Sequence, residues 1–275
     1  MTGRPSPLRL LRIQTVYQSK LFWRNPVSAF FTLAFPVMIF VVFSLVFGNE
    51  RIPYLDITIA QYYAPSLAVF AAVSATYTNL AITTSYQRDL GILKRIRGTP
   101  LPAWIYMGGK IVSATYIALI GIVIMVGVGV AFYGLNLYGR TLPAAILTFL
   151  VGSFTFSALG LFISAVAPSG QAATAVANAT LLPLAFFSGI FIVPAEDSPT
   201  WLRLVGDVFP LKHFNDAFFA AFDPQRTDAA FEWGHLAYMV LWGVIAAALA
   251  IRWFTWEPTA AGSTTRRRRA SRVSA

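Results

Sequence analysis

The sequence predicts an all-α integral membrane protein with six transmembrane helices, and three observations support this prediction. Of its 275 residues, 57% are hydrophobic and 12% are charged, whereas soluble domains have about 45–50% apolar and about 25% charged residues. The apolar residues form six long stretches without Asp, Glu, Lys, Arg or His. There is no cysteine and there are only two histidines, which argues against disulfide, thiolate and most zinc chemistry.

Charge-free stretches of about 17–25 residues are long enough to cross the hydrocarbon core as helices. The six stretches cover residues 27–47, 60–84, 111–133, 141–167, 172–193 and 236–251. A turn signal at residues 168–171 divides the fourth from the fifth and predicts a tight helical hairpin. An even number of spans places both termini on the same side of the membrane.

Lysine and arginine predict the orientation, because cationic short loops are retained in the cytoplasm. Sixteen of the 21 lie in the N-terminal segment, in the loop after the second span or in the tail, and five lie on the other side. The sequence therefore predicts a multi-pass protein of the cell membrane with both termini in the cytoplasm. Since the net charge of +10 follows from this distribution, nucleic acid is not predicted as a partner.

Three regions follow from this layout. In residues 1–26, Leu10, Ile13, Tyr17 and Leu21 recur at helical spacing, which predicts a helix in the cytoplasmic membrane interface, with a simple cationic anchor as the alternative. Residues 27–256 hold the six spans. Residues 257–275 include the run RRRRASR, which predicts a disordered tail that binds anionic lipid or enforces topology, with tethering of a partner as the alternative.

The loop between the second and third spans contains the stretch LGILKRIRGTPLP. Its aliphatic residues Ile92, Leu93 and Ile96 gather on one helical face, and its cations lie toward the other, which predicts a short amphipathic helix. Gly98 suits the end of this helix. On the residues alone, contact with lipid headgroups is favoured over docking of another protein.

The segment between the fifth and sixth spans, residues 188–223, is long and apolar. Ser198 and Pro199 predict the start of one helix, and Phe209-Pro210 predicts the break before a second. Two short apolar helices are poorly suited to water, so we expect them to re-enter the membrane or to cap the bundle. This segment is interpreted as an outer gate.

No catalytic constellation is visible in the sequence. It contains no Walker A pattern, no G-x-S-x-G nucleophile elbow and no H-E-x-x-H site, so the chain is not predicted to be an enzyme or to bind a cofactor itself. Asn79 and Asn178 lie within predicted spans. They are interpreted either as part of a transport pathway or, with more weight, as polar contacts that hold helices together.

Two motifs carry a resemblance to a known family. The stretches LGILKRIRGTPLPAWIYMGGK and LPLAFFSGIFIVPAEDSPTWLRLVGDVFPLKHFNDAF resemble type 2 permease subunits of ATP-binding cassette transporters, especially the drug-resistance exporter branch. The resemblance implies that the first motif is a coupling helix that docks on an ATPase, formed by Asp89, Gly91, Ile92, Leu93, Lys94, Arg95, Ile96, Arg97, Pro100 and Leu101. It implies an outer gate formed by Phe187, Ser188, Gly189, Pro194, Pro199, Trp201, Leu202, Pro210 and Leu211.

The resemblance also implies partners and a function. The expected partners are a separate ATPase subunit that binds ATP and Mg²⁺, a second permease as a homodimer or related heterodimer, and membrane lipids. The expected function is ATP-driven export of an amphipathic drug-like or lipidic substrate. The alternatives are a membrane-embedded enzyme that modifies lipid and a scaffold or sensor subunit that transports nothing.

Overall fold

The computed structural model describes residues 6–47, 50–52, 55–193 and 199–258, most of which are helical. Six of the described helices are long and apolar enough to cross a membrane, which confirms the predicted number of spans. They are span 1 (Pro26–Phe47), span 2 (Ile59–Asp89), span 3 (Ala103–Tyr133), span 4 (Leu142–Val166), span 5 (Gly170–Phe187) and span 6 (Trp233–Trp253). Pro194 and the basic tail from residue 259 onward lie outside the described residues.

Four shorter helices occur where the sequence predicts them. They are the N-terminal helix (Pro7–Trp23), the loop helix (Ile92–Arg97), the first outer helix (Thr200–Val208) and the second outer helix (Pro210–Ala220). The loop helix lies at one end of the bundle and the outer helices lie at the other, and the two ends are named after them below. A two-residue antiparallel ladder, Arg51–Ile52 against Ile57–Thr58, follows span 1 and was not predicted.

Spans 2 and 3 are longer at the loop-helix end than the sequence predicts. Span 2 continues to Asp89 and span 3 begins at Ala103, so Arg88, Asp89 and Lys110 lie in helices rather than in a loop. Span 6 also includes the exposed Arg252 in its last turn. The prediction that the spans contain no charged residue is therefore wrong for three helices, and in spans 2 and 3 it fails at Arg88, Asp89 and Lys110. Hydropathy places a charge outside a span because an unpaired charge is costly there, whereas these side chains have hydrogen-bond partners on neighbouring helices.

Span 5 is shorter than predicted, because it ends at Phe187 instead of continuing to residue 193. Ser188 follows as its C-cap, and Gly189 has a φ of 75°. This left-handed conformation suits glycine, which has no Cβ, and it turns the chain away from the helix axis. The segment that was assigned to the end of a span therefore belongs to the outer segment.

Span 2 is the central helix of the bundle. Its apolar segment is 78% buried, against 28% for spans 1, 5 and 6. Small side chains, including Ala64, Ala68 and Ala72, line it and are fully buried, which permits close approach of the neighbouring helices. At the π-helical turn Ser74–Thr78, span 4 approaches the backbone of span 2 closely, since an added Cβ at Gly160 of span 4 would lie 2.7 Å from the Tyr77 carbonyl oxygen.

The N-terminal helix packs along the beginning of span 3. The Ser6 hydroxyl accepts from the Arg9 N–H and caps this helix, and Ser19 Oγ lies 2.8 Å from Ser113 Oγ of span 3. The predicted apolar stripe does not face the bundle, because the side chains of Ile13 and Tyr17 are both 56% exposed. The helix is amphipathic in the sense that was predicted, with an apolar face free to contact another apolar surface.

Candidate functional site

The loop helix is a short exposed helix held to the bundle by one side chain. Gly91 precedes it with a φ of 72°, a left-handed conformation that reverses the chain after span 2. Leu93 is fully buried, Ile96 is half-buried, and Ile92 is exposed. The expectation that all three aliphatic residues share one buried face therefore holds fully only for Leu93.

The three cations of the loop helix, Lys94, Arg95 and Arg97, are all exposed. Gly98 lies at the C-cap as expected, but it keeps a right-handed conformation, and the Thr99 hydroxyl donates to the Ile96 carbonyl oxygen instead. Pro100 is exposed, Leu101 is half-buried, and span 3 begins two residues later. The result is a cationic surface that projects from the bundle and is available to a partner.

Two charged side chains at the end of span 2 form hydrogen bonds with the turn between spans 4 and 5. Arg88 is 1% exposed, and its two terminal nitrogens donate to the carbonyl oxygens of Ser164 and Ala167, at 2.7 and 2.5 Å, where span 4 ends. Asp89 Oδ2 accepts from the Gly170 N–H at 2.6 Å, where span 5 begins. We call Arg88 and Asp89 the clasp. Each charge complements the helix dipole that it meets, since cations are favoured at C-termini and anions at N-termini.

The clasp contains one residue of the predicted coupling set, Asp89, and one residue outside it, Arg88. Asp89 was assigned to ATPase docking, but its carboxylate is turned toward Gly170 in the bundle. Arg88 was not predicted at all, because hydropathy alone placed it in a loop. A partial signal for it was present in the sequence: the turn at residues 168–171 offers Ser169 as an N-cap for span 5 but no cation for the carbonyl oxygens at the end of span 4.

Asn79 and Asn178 line the same cleft, between spans 1, 2 and 5, with a volume of about 550 Å³. The cleft is also lined by the π-helical turns of spans 1 and 2, at Phe30–Ala34 and Ser74–Thr78. Such turns interrupt the regular backbone ladder and are frequent at functional sites. Its walls alternate between polar residues and large apolar ones. The polar residues are Ser28, Thr32, Ser74, Thr78, Asn79, Thr174 and Asn178, and the apolar ones include Phe31, Phe35, Phe70 and Leu181.

The outer segment begins with a compact junction after span 5. Phe187 and Trp201 form an edge-to-face pair with ring centroids 6.3 Å apart. The Ser188 carbonyl oxygen accepts from Asn215 Nδ2, and the Gly189 carbonyl oxygen accepts from the Tyr62 hydroxyl at 2.6 Å. These contacts tie the end of span 5 to both outer helices and to span 2.

The two outer helices differ in burial. Pro199 is exposed before the first outer helix, in which Trp201 is exposed and Leu202 is half-buried. In the second outer helix, Pro210 occupies the first turn, and Leu211 is 1% exposed. The Phe214 ring of this helix stacks on Phe156 of span 4. The second outer helix is thus inserted among the spans, and the first covers it from outside.

Titratable groups cluster where the second outer helix meets span 6. Burial raises the pKa of Asp216 to about 7, while Lys212 opposes this shift and Asp207 and Glu232 add to it. His213 Nδ1 lies 2.8 Å from His235 Nδ1, and Lys212 pairs with Asp207 at 2.5 Å. Among the residues that the structure describes, no three His, Cys, Asp or Glu side chains are arranged to hold a metal ion.

Six helices that are long and apolar enough to cross a membrane, with a polar-lined cleft between spans 1, 2 and 5, define a helical membrane protein. The sequence comparison gives the particular family. The chain belongs to the ABC-2 type transporter family, whose profile matches residues 9–222. The resemblance stated from the sequence is thereby confirmed.

Three relatives show how far the similarity extends. The chain is 26% identical over 172 residues to the probable multidrug ABC transporter permease YbhR of Escherichia coli K12, covering 62% of this chain and 46% of YbhR. It is 25% identical over 207 residues to the putative transport permease YvfS of Bacillus subtilis, covering 75% and 83%. It is 26% identical over 201 residues to the daunorubicin resistance permease DrrB1 of Streptomyces coeruleorubidus, covering 70% and 67%. The chain thus matches less than half the length of YbhR.

Proposed function

We propose that the chain is the membrane permease subunit of an ATP-driven exporter that moves an amphipathic drug-like or lipidic substrate out of the cytoplasm. A separate ATPase subunit binds ATP and Mg²⁺ and docks on the loop helix. The observation that carries this proposal is the exposed cationic surface of Lys94, Arg95 and Arg97, which lies directly after the clasp. Names of relatives as multidrug and daunorubicin resistance permeases support the substrate class.

The clasp supplies a route from the docking surface into the bundle. Only two residues separate Asp89 from the first residue of the loop helix. A displacement of that helix therefore pulls on the end of span 2 and, through the clasp, on the turn between spans 4 and 5. Because Arg88 is buried and bound to two carbonyl oxygens, the connection is stiff rather than loose.

The cleft is the proposed path for the substrate, with Asn79 and Asn178 as polar contacts on its wall. Its mixture of hydroxyl, amide and aromatic side chains suits a molecule with both polar and apolar parts. Spans 1 and 5 leave exposed apolar side chains beside it, including Phe31 and Leu182. A second permease, identical or related, is proposed to cover this face and complete the path.

The second outer helix and the junction after span 5 are proposed as the outer gate. Tyr62 of span 2 bonds to Gly189 in this junction, so span 2 contacts the gate as well as the clasp. We place the loop-helix end on the cytoplasmic side, so that the protein lies in the cell membrane with both termini in the cytoplasm. Residues 1–26 form the interfacial region, 27–256 the permease domain, and 257–275 a basic tail near anionic lipid.

The docking surface can be tested by charge reversal without disturbing the core. Leu93 is unsuitable because it is fully buried. The combined variant Lys94→Glu, Arg95→Glu and Arg97→Glu changes exposed side chains only. We expect it to fold, as judged by gel filtration, and to lose co-purification with the co-expressed ATPase subunit and ATP-dependent uptake of daunorubicin into inverted vesicles, both by about tenfold or more.

A matched control reverses three exposed cations of the N-terminal helix and its end, with Arg12→Glu, Lys20→Glu and Arg24→Glu. This control has the same change in net charge and is expected to retain the ATPase. Equal loss in both variants would contradict docking on the loop helix. Accumulation of daunorubicin against its gradient in vesicles without the ATPase would contradict the proposal as a whole.

A further inference from the structure

We propose that a small cavity at the loop-helix end of the bundle binds a phosphate oxyanion, with Lys110 as its cation. The cavity lies between the N-terminal helix, span 2 and span 3, and it has a volume of about 60 Å³. It is a different cavity from the cleft that is proposed for transport, although Ser28 and Asn79 line both. The proposal does not depend on what the protein transports.

Lys110 is the first argument for an anion. The residue is 3% exposed, lies about two turns into span 3 and donates from Nζ to the Thr84 hydroxyl at 2.9 Å. The nitrogen also lies 5.8 Å from the centre of the Tyr106 ring. No carboxylate of the described residues forms an ion pair with it. A buried ammonium group without a counter-charge is costly, and two of its three N–H donors remain available.

The amide groups around the cavity supply further donors. Gln18 is buried, faces the Tyr106 hydroxyl, and its Nε2 has no hydrogen bond within normal length. Gln87 uses its Oε1 to accept from that same hydroxyl, and Asn25 uses its Oδ1 to accept from the Ser28 N–H. With their oxygens engaged, Gln87 and Asn25 offer N–H groups. Lys110 and the amide side chains of Gln18, Asn25 and Gln87 line the same cavity, and this set of donors favours an oxyanion.

The shape of the cavity limits the ligand to one small group. Its volume is several times the ~10–15 Å³ that a single water requires by the same measure. Leu21 and Asn25 line it and are exposed, so it reaches the surface at the end of the N-terminal helix. Trp23, next to this opening, is 49% exposed, and tryptophan is enriched at the depth of lipid headgroups. A phosphate on a lipid headgroup or free in solution fits this chemistry.

The test measures the thermal stability of the purified full chain in a neutral detergent. Three probes are added at equal ionic strength: dihexanoyl phosphatidylglycerol, inorganic phosphate and dihexanoyl phosphatidylcholine. For the wild type, we expect phosphatidylglycerol to raise the apparent Tm by about 5 °C or more at saturation. Phosphatidylcholine should raise it less, because its phosphate carries its own choline cation, which the Lys110 ammonium repels. If inorganic phosphate has the same effect, the ligand is free phosphate; if it has none, the ligand is a lipid headgroup.

Three variants connect this response to the cavity. Lys110→Met removes the charge at nearly equal length and is expected to lose at least two thirds of the Tm increase. Gln18→Glu places a carboxylate in the cavity, where it is attracted to Lys110 and repels an added anion. This variant should therefore fold and respond to neither anion, which keeps the test decisive if Lys110→Met fails to fold. Lys20→Met alters an exposed cation of the same helix and should respond as the wild type does. An equal response in all variants, or no response of the wild type to either anion, would overturn the proposal.

Discussion

The two ends of span 2 are attached to the rest of the bundle by different chemistry. At the loop-helix end, the charged side chains of the clasp bind the ends of spans 4 and 5. At the outer-helix end, the neutral side chain of Gln61 donates to the Phe222 and Asn136 carbonyl oxygens and accepts from the Asn136 N–H. Tyr62 adds its bond to Gly189.

The two ends of span 2 differ in the strength of their hydrogen bonds and in the number of segments that these bonds reach. Hydrogen bonds that involve a charged group contribute about 1.5–3 kcal/mol each, and neutral ones about 0.5–1.5 kcal/mol. The clasp concentrates its interactions on a single turn, whereas Gln61 and Tyr62 distribute theirs over three separate segments. At the loop-helix end, span 2 is thus attached to one turn by a few strong bonds. At the outer-helix end, it is attached to several segments by weaker bonds, which can break one at a time.

The largest effect is expected from removing the clasp cation. Arg88→Met deletes both bonds to the end of span 4 and leaves their carbonyl oxygens buried without a donor. Each buried carbonyl oxygen left without its donor costs about 1–3 kcal/mol, so the two together should lower the apparent Tm of the purified protein by roughly 10 °C. Arg252→Met, at an exposed cation near the end of span 6, is the control and should change the Tm little.

Arg88→Lys sharpens this test because it retains the charge but not the planar fork that reaches two oxygens. Arg88→Lys should lower the apparent Tm by less than Arg88→Met does. It should still reduce ATP-dependent uptake, because one of the two bonds between span 2 and the end of span 4 is lost. A protein with Arg88→Met that is as stable as the wild type would show that the clasp contributes nothing.

A smaller effect is expected at the outer-helix end. Gln61→Leu removes three neutral hydrogen bonds and leaves the buried Phe222 carbonyl oxygen without its donor, whereas Asn136 is exposed, so the loss should be about 2 kcal/mol. The apparent Tm should fall by about 5 °C, half the change for Arg88→Met. Gln225→Leu is the matched control, since its side-chain amide is exposed and bonds, among the described residues, to the Leu55 carbonyl oxygen. A loss for Gln61→Leu that exceeds the loss for Arg88→Met would reverse the comparison.

A pH dependence is expected at the outer-helix end. Burial raises the pKa of Asp216 from 3.8 to about 7, so the folded protein holds a proton that the unfolded chain releases between these values. Stability should therefore fall as the pH rises from about 4 to about 7, by no more than about 1.4 kcal/mol per pH unit. Asp216→Asn should remove this part of the pH dependence.

This prediction is measured as the difference in apparent Tm between pH 5 and pH 7.5. The wild type should lose a few degrees more than Asp216→Asn over this interval. Asp228→Asn, at a carboxyl that is 63% exposed, should behave as the wild type does. Identical slopes for the wild type and Asp216→Asn would mean that this carboxyl is ionised in the folded protein at pH 5.

Much of the molecule could be predicted from the sequence. The six spans follow from hydropathy. The loop helix follows from the helical spacing that separates Leu93 from its cationic neighbours. The break between the outer helices follows from Phe209-Pro210. The family followed from the same two motifs. These features depend on residues close together in the chain, where transfer free energy, helical periodicity and the geometry of proline act directly.

The sequence by itself thus determined the number of spans, the positions of the short helices and the family, because each depends on local composition. Only the tertiary structure decided that Arg88 and Lys110 are buried in helices, that Asp89 is half-buried beside them, and that Asn79 and Asn178 line one cleft. Whether a charge or an amide can be buried depends on acceptors and donors that other helices bring to it. For Arg88 these come from Ser164 and Ala167, more than seventy positions further along the chain, a distance that no local pattern reports.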